Sequence, residues 1–203
     1  MISSIPSYGY AAMVDVETTG LNPNRDEIIE FAAVLFRFER ETFEIIDIAD
    51  SYVGLREPSI AIPYQVTRIH GLSYSDVKGE SLDTIHIQVI LEKAEFILAH
   101  NAQFDKGFVT RLLPYTNNKP WVCTMNGINW KGKGCHSKGL QNLVQYYKIQ
   151  ANKSHRALAD VNACIELLKQ RNQDGRVFFA ELLSPLRMVA ATVEQDRKED
   201  NPS

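Results

Sequence analysis

The chain has 203 residues, 44% hydrophobic, 23% charged and 9% aromatic, the proportions of one globular domain with at most a small appendage. With eleven glycines and eight prolines it is neither collagen-like nor low-complexity, its N-terminus lacks the pattern of a signal peptide, and no apolar run reaches the roughly 18 residues of a membrane span. A formal charge of −3 speaks against a uniformly basic nucleic-acid binder, and three cysteines without paired spacing (Cys123, Cys135, Cys164) argue against a disulfide framework and for a reducing, cytoplasmic setting.

Tyr10 to Val16 is a short β-prone run that ends in Glu17-Thr18-Thr19-Gly20, where the glycine is expected to take a positive φ in a turn. Ile28 to Phe38 is almost continuously apolar, as in a strand buried on both faces. Thr42 to Val53 reads as a third strand with Phe43, Ile45 and Ile48 inward, and the short links predict an antiparallel meander. The pattern then changes. Ser81 to Lys93 is expected as a helix with Leu82, Ile85, His86 and Val89 on one face. Phe96 to Ala99 is a short buried strand, Asn101 to Leu113 a helix stopped by Pro114, and Trp121 to Thr124 a fifth strand. Two further helices follow. Ser137 to Tyr147 places Leu140, Leu143, Val144 and Tyr147 on one stripe, and Arg156 to Gln170 does the same with Leu158, Val161, Ile165 and Leu168. This order describes a mixed α/β sheet with helices on its faces. Residues 8–172 are read as the main domain and 173–203 as a C-terminal segment: an amphipathic stretch, Arg176 to Val193, interrupted at Pro185, and a charged tail expected to fray.

Charge is unevenly distributed. From Lys106 to Ala159 there is no Asp or Glu, while nine basic residues fall in that stretch, leaving 13 basic against 25 acidic residues elsewhere. Such a block either scatters over the surface or forms a positive face for an anionic polymer.

The carboxylates carry the chemistry. Asp15 and Glu17 lie two apart at a strand end, and the period of two points both to one face. Like charges so placed either face solvent or share a divalent cation, since hard cations take carboxylate oxygens. Asp105 lies one turn into the helix after the Phe96 strand, and Asp160 one turn into the later helix, five residues after His155. Each has a plain reading as an acid that stabilises a helix start. Each also falls where open α/β sheets bind ligands, near strand ends.

Taken together, Asp15-Val16-Glu17-Thr18-Thr19-Gly20-Leu21, Thr67-Arg68-Ile69-His70-Gly71-Leu72, His100-Asn101-Ala102-Gln103-Phe104-Asp105 and His155 with Asp160 resemble the DEDDh, or DnaQ-like, 3′-to-5′ exonuclease family. The likeness extends to the proofreading epsilon-type exonuclease of DNA polymerase III and to ribonuclease T, and covers roughly residues 8 to 170. It implies a ribonuclease-H-like fold, with a three-strand antiparallel meander plus two parallel strands. It implies two divalent ions, Mg²⁺ or Mn²⁺: Asp15, Glu17 and Asp160 would hold one, and Asp15 and Asp105 the other. His155 would be the general base, an imidazole being able to take a proton near neutrality. Thr18, Thr19, Gly20 and Leu21 would grip the terminal nucleotide, with His70, Asn101 and Phe104 lining the cleft. Lys131, Lys133 and Lys138 are candidates to track phosphates of the incoming strand. The expected activity is 3′-to-5′ hydrolysis of single-stranded DNA ends. Other readings are an exoribonuclease of the same family, a proofreading subunit partnered by a DNA polymerase, and an inactive nucleic-acid-binding module.

Overall fold

A computed structural model describes residues 6–150 and 155–184. Its centre is a five-stranded sheet built from β1 (Tyr8–Thr18), β2 (Ile28–Glu39), β3 (Ile45–Leu55), β4 (Phe96–Ala99) and β5 (Trp121–Cys123). The order is β3-β2-β1-β4-β5, with β1 antiparallel to β2 and β2 to β3, while β4 lies parallel to β1 and β5 to β4. This is the expected mixed sheet. Both of its faces are covered, so β1 and β2 are apolar almost throughout.

The period of two divides the core. Ala11, Met13, Ala32, Val34, Phe36 and Phe38 face α6 (Leu140–Tyr146) and α7 (Ala157–Leu168). Ala12, Val14, Val16, Phe31, Ala33 and Leu35 face α3 (Thr84–Lys93) and α4 (Ala102–Leu112). Two short helices, α1 (Tyr64–His70) and α2 (Tyr74–Val77), stand between β3 and α3, and α5 (Thr124–Gly127) follows β5. Gly71, at φ 76, ends α1 in the left-handed region that a Cβ would strain.

Two sequence expectations are corrected. In α3 the buried residues are Ile87, Ile90 and Leu91, whereas Ile85 is 76% and Val89 54% exposed. The expected stripe began at Leu82, before the helix, which starts only after Asp83 accepts the His86 backbone N–H. His86 is accordingly no core residue: its half-buried ring meets Asp50 through Nε2. In β3, Ile48 is exposed although its partner in the register, Phe36, is buried, because β3 is the edge strand of the sheet. Phe43 is buried as expected, but from the turn before β3 rather than from the strand.

The C-terminal segment contributes to the main core. Residues 178–184 are helical, and Phe178, Phe179, Leu182 and Leu183 are buried. The Phe179 ring lies 5.4 Å from those of both Phe36 and Phe38 and 6.0 Å from those of Phe43 and Phe96. Pro185, the remainder of the segment to Val193 and the tail Glu194 to Ser203 lie outside the described residues. All three cysteines are free, and among the described residues no helix is long and apolar enough to cross a membrane.

Truncating Phe179 to Ala should cost about 3–5 kcal/mol in urea unfolding, and Ile87→Ala about 2–5 kcal/mol. Ile85→Ser, on the exposed face of α3, should change stability by no more than about 0.5 kcal/mol.

Candidate active site

Asp15 and Glu17 have the parity of Ala11 and Met13, so both point from the end of β1 toward α7. There they meet Asp160, in the first turn of α7: one carboxylate oxygen from each of the three lies within 4.8 Å of the others. Asp105 comes from the first turn of α4, is buried, and accepts a hydrogen bond from the Val16 backbone amide. The sheet order explains the convergence. α4 begins just past the end of β4, which runs parallel to β1, so its first turn comes up beside the end of β1.

Burial disfavours the charge on all four acids, and neighbouring carboxylates add to it at Asp15 and Glu17. Burial, followed by the charges of Asp105, Glu17, Asp160 and Glu30, holds the Asp15 carboxyl well above the usual carboxylate range. Glu17 is pushed up to about 8, by burial first and then by Asp160 and Glu30. Burial also raises Asp105 to about 8 and lifts Asp160. Among the described residues no salt bridge reaches any of the four. An all-oxygen donor set that is crowded, desolvated and without a cationic side chain of its own fits a hard divalent cation.

The supporting contacts are specific. Asp160 accepts from Gln141 Nε2 through Oδ1 (2.8 Å) and from the His155 backbone N–H through Oδ2 (3.2 Å). His155 is exposed and has a φ of 59, a strained value for a residue with a Cβ, and Lys153 and Ser154 before it lie outside the described residues. Glu30, on the same sheet face as Glu17, is 1% exposed and bound to Arg156. Gln141, Glu30 and Arg156 were not singled out in the sequence. Glu30 carried a readable signal, an acid inside an otherwise apolar strand, whereas Gln141 on its helix carried none.

In the loop after β1, the Thr18 hydroxyl donates to the Gly20 carbonyl (2.6 Å), and Thr19 is bound to Glu27 through both its backbone N–H and its hydroxyl. The threonine hydroxyls therefore shape the loop. Gly20 does not take the expected positive φ; a Cβ there would fall 2.5 Å from an Asp26 oxygen, so glycine is needed for close approach. Leu21 at the tip is 81% exposed. Asn101 adopts φ 81 at the start of α4, and the half-buried Phe104 ring lies 5.0 Å from that of Phe108.

His70 is buried, its Nδ1 accepting from the Leu72 backbone N–H, and among the described residues nothing accepts from its Nε2–H. His100 bridges Thr124 Oγ1 (2.9 Å) and the Lys138 carbonyl (2.8 Å), which ties the basic loop to the start of α4. The lysines differ in their engagement. Lys131 and Lys138 are exposed, the latter with its ammonium on Asn126, whereas the Lys133 ammonium is bound to Glu181 and lies over the Phe178 ring. Lys119 is likewise spent on the carbonyls of Glu92 and Ala94, so Lys119 and Lys133 are both engaged within the fold.

A family model described as Exonuclease (RNase_T) matches residues 13–168. The chain belongs to the DnaQ-like exonuclease family. It is 30% identical over 161 residues to the DNA polymerase III subunit epsilon of Treponema pallidum, covering 75% of this chain and 72% of that one. It is also 30% identical over 163 residues to the PolC-type DNA polymerase III of Clostridium perfringens, covering 76% of this chain but only 11% of that polymerase. E. coli exonuclease I, solved with a dT13 oligonucleotide, shares the fold at a TM-score of 0.63 and 19% identity, over 79% of this chain and 40% of its own. Exonuclease X, solved with 5′ overhanging duplex DNA, shares it at 0.54 and 24%, over 83% of this chain and 98% of its own.

The raised carboxylates give this exonuclease domain a signature. Asp105 moves from an ordinary 3.8 to about 8 on folding, so between those values the folded chain keeps a proton the unfolded chain has lost. Stability without metal therefore falls as pH rises through that window. Asp105→Asn should raise the melting temperature of chelator-treated protein at pH 8.5 by about 3 °C or more, and leave it little changed at pH 4. Melts at the two pH values check this.

Proposed function

We propose that the chain is a metal-dependent exonuclease that removes nucleoside 5′-monophosphates from the 3′ ends of single-stranded DNA. The observation that carries this reading is the trio Asp15, Glu17 and Asp160, with oxygens within 4.8 Å and no cationic side chain paired to them among the described residues. Support for the substrate comes from the oligonucleotide bound by exonuclease I, and for a polymerase partner from the epsilon subunit.

Asp15, Glu17 and Asp160 would hold one divalent ion, and Asp15 and Asp105 a second. Such ions supply positive charge to the phosphoryl oxygens, the attacking water and the departing 3′ oxygen. The remaining work belongs to side chains of this chain. His155, exposed beside Asp160, accepts the proton of the attacking water. Its backbone N–H, bound to Asp160, keeps the imidazole-bearing residue at the rim of the acidic cluster. Leu21, apolar and almost fully exposed at the tip of its loop, packs against the terminal bases, and Phe104 offers an aromatic surface at the start of α4. The loop after β1, held by Thr18, Thr19 and Asp26, continues directly from the strand end that bears Asp15 and Glu17, and there it would meet the terminal nucleotide and favour an end over an interior bond. Lys131 and Lys138 meet the phosphates of the incoming strand, whereas Lys133 serves the fold through Glu181.

Matched single-stranded DNA and RNA carrying a 5′ label, incubated with Mg²⁺ or Mn²⁺, should give a ladder shortening from the 3′ end. Chelator or Asp15→Ala should abolish it, and the faster ladder names the sugar. Absence of cleavage by metal-loaded wild type would refute the reading. Neutralising Lys131 and Lys138 together should weaken binding of single-stranded DNA and reduce the slope of log affinity against log salt by about 1.4, whereas Lys133→Ala should leave that slope unchanged.

A further inference from the structure

We propose that Glu30 and Arg156 form a latch that sets α7, and with it Asp160 and the His155 turn, against the strand end bearing Asp15 and Glu17. This rests on the metal-site reading above, and makes both latch members positioning residues for the cation site rather than ligands or elements of the core.

The geometry is direct. Glu30 sits on β2 opposite Glu17 in the antiparallel register, on the sheet face covered by α7. Its side chain is 1% exposed and takes four hydrogen bonds from one short stretch of chain. Arg156 Nε lies 3.0 Å from Oε1 and 3.1 Å from Oε2, Nη2 lies 2.6 Å from Oε1, and the Ala157 backbone N–H donates to Oε2 at 2.9 Å. Arg156 is the residue that caps α7, and it offers no side-chain cap of its own. Glu30 therefore supplies from another element both the acceptor and the negative charge that a helix N-terminus calls for.

The latch leads straight to the site. His155, the residue before Arg156, holds a φ of 59, and its backbone N–H turns back to Asp160 Oδ2. A conformation strained in this way persists only when its surroundings fix it. Asp160 is gripped from one side by Gln141 and from the other by the His155 turn, and that turn is fixed to β2 by Glu30. The separation between Asp160 and the two acids of β1 is thus referred back to the neighbouring strand.

Stability does not account for the choice of residues. An apolar side chain at position 30 would continue the row of Ala32, Val34 and Phe36, and burying the Glu30 carboxylate against a half-exposed guanidinium seldom outdoes such packing. Glu30 also adds negative charge beside Glu17 and Asp15, which a purely structural design would avoid. What the pair provides is a forked, directional connection, which guanidinium and carboxylate make well.

The test compares Glu30→Gln, Arg156→Ala and Arg156→Lys with wild type in three measurements. Melting temperature gives the folded fraction, loss of the free Mn²⁺ electron paramagnetic resonance signal gives metal affinity of the chelator-stripped protein, and cleavage of 5′-labelled single-stranded DNA at saturating Mn²⁺ gives kcat and KM. Glu30→Gln and Arg156→Ala should weaken Mn²⁺ binding about 10-fold or more and lower kcat about 10- to 100-fold, with KM within about threefold. Arg156→Lys still neutralises Glu30 but lacks the fork, so it should keep most of the melting temperature and lose metal affinity and kcat, which keeps the test decisive if Glu30→Gln does not fold. Variants that are folded, bind Mn²⁺ as wild type does and differ only in melting temperature would overturn the latch. Wild type that binds no Mn²⁺ would overturn the metal reading itself, and the latch with it.

Discussion

Four carboxylates crowd one end of the sheet, and their mutual repulsion in a desolvated pocket is the constraint around which the rest is arranged. Asp15 and Glu17 cannot separate, because a strand fixes their spacing and the period of two fixes their direction. Asp160 and Asp105 are brought to them by the first turns of two different helices, where the helix N-termini offset part of the cost. Even so, Glu17 and Asp105 are pushed to about 8 and Asp15 well above its usual range. Such a cluster fits a divalent cation, whose binding would remove the repulsion and the excess protons together.

Holding the cluster requires contacts that the cluster cannot provide. The Val16 amide serves Asp105, Gln141 and the His155 turn serve Asp160, and Glu30 with Arg156 fixes the start of α7. Farther out, the packing that seats α7 draws on the C-terminal segment, whose Phe178 and Phe179 join the same core as Val161, Ile165 and Leu168. The placement of α7, and with it of Asp160, thus draws on aromatic packing near the end of the described chain.

Much of this was legible in the sequence. The five strands and the antiparallel meander followed from apolar runs and link lengths, whereas the parallel pairing of the last two came with the resemblance to the DnaQ-like family, itself read from short motifs in the correct order. Legibility failed for definite reasons. Helix α3 has apolar residues on two stripes, so periodicity alone chose Ile85 and Val89 over Ile87 and Ile90. Nothing in the pattern of Ile45 and Ile48 shows that their strand lies at the edge of the sheet, where Ile48 stays exposed beside Phe36. A run of basic residues does not show which of them, like Lys119, Lys133 and Arg156, are consumed by internal acceptors. Glu30 was visible as an acid in an apolar strand, yet its partner lies 126 residues away and only the folded chain brings the two together.

Carboxyls raised in this way retain protons when alone, and on the proposed reading they exchange them for a cation. Calorimetric titration of Mn²⁺ into chelator-stripped protein at pH 7, repeated in buffers of different ionisation enthalpy, counts the protons released on binding. The account predicts a release of about one proton or more per ion, reduced when Glu17 is replaced by Gln, because Glu17 and Asp105 sit near 8. Tight binding with no proton release, or binding left unchanged by Glu17→Gln, would contradict it.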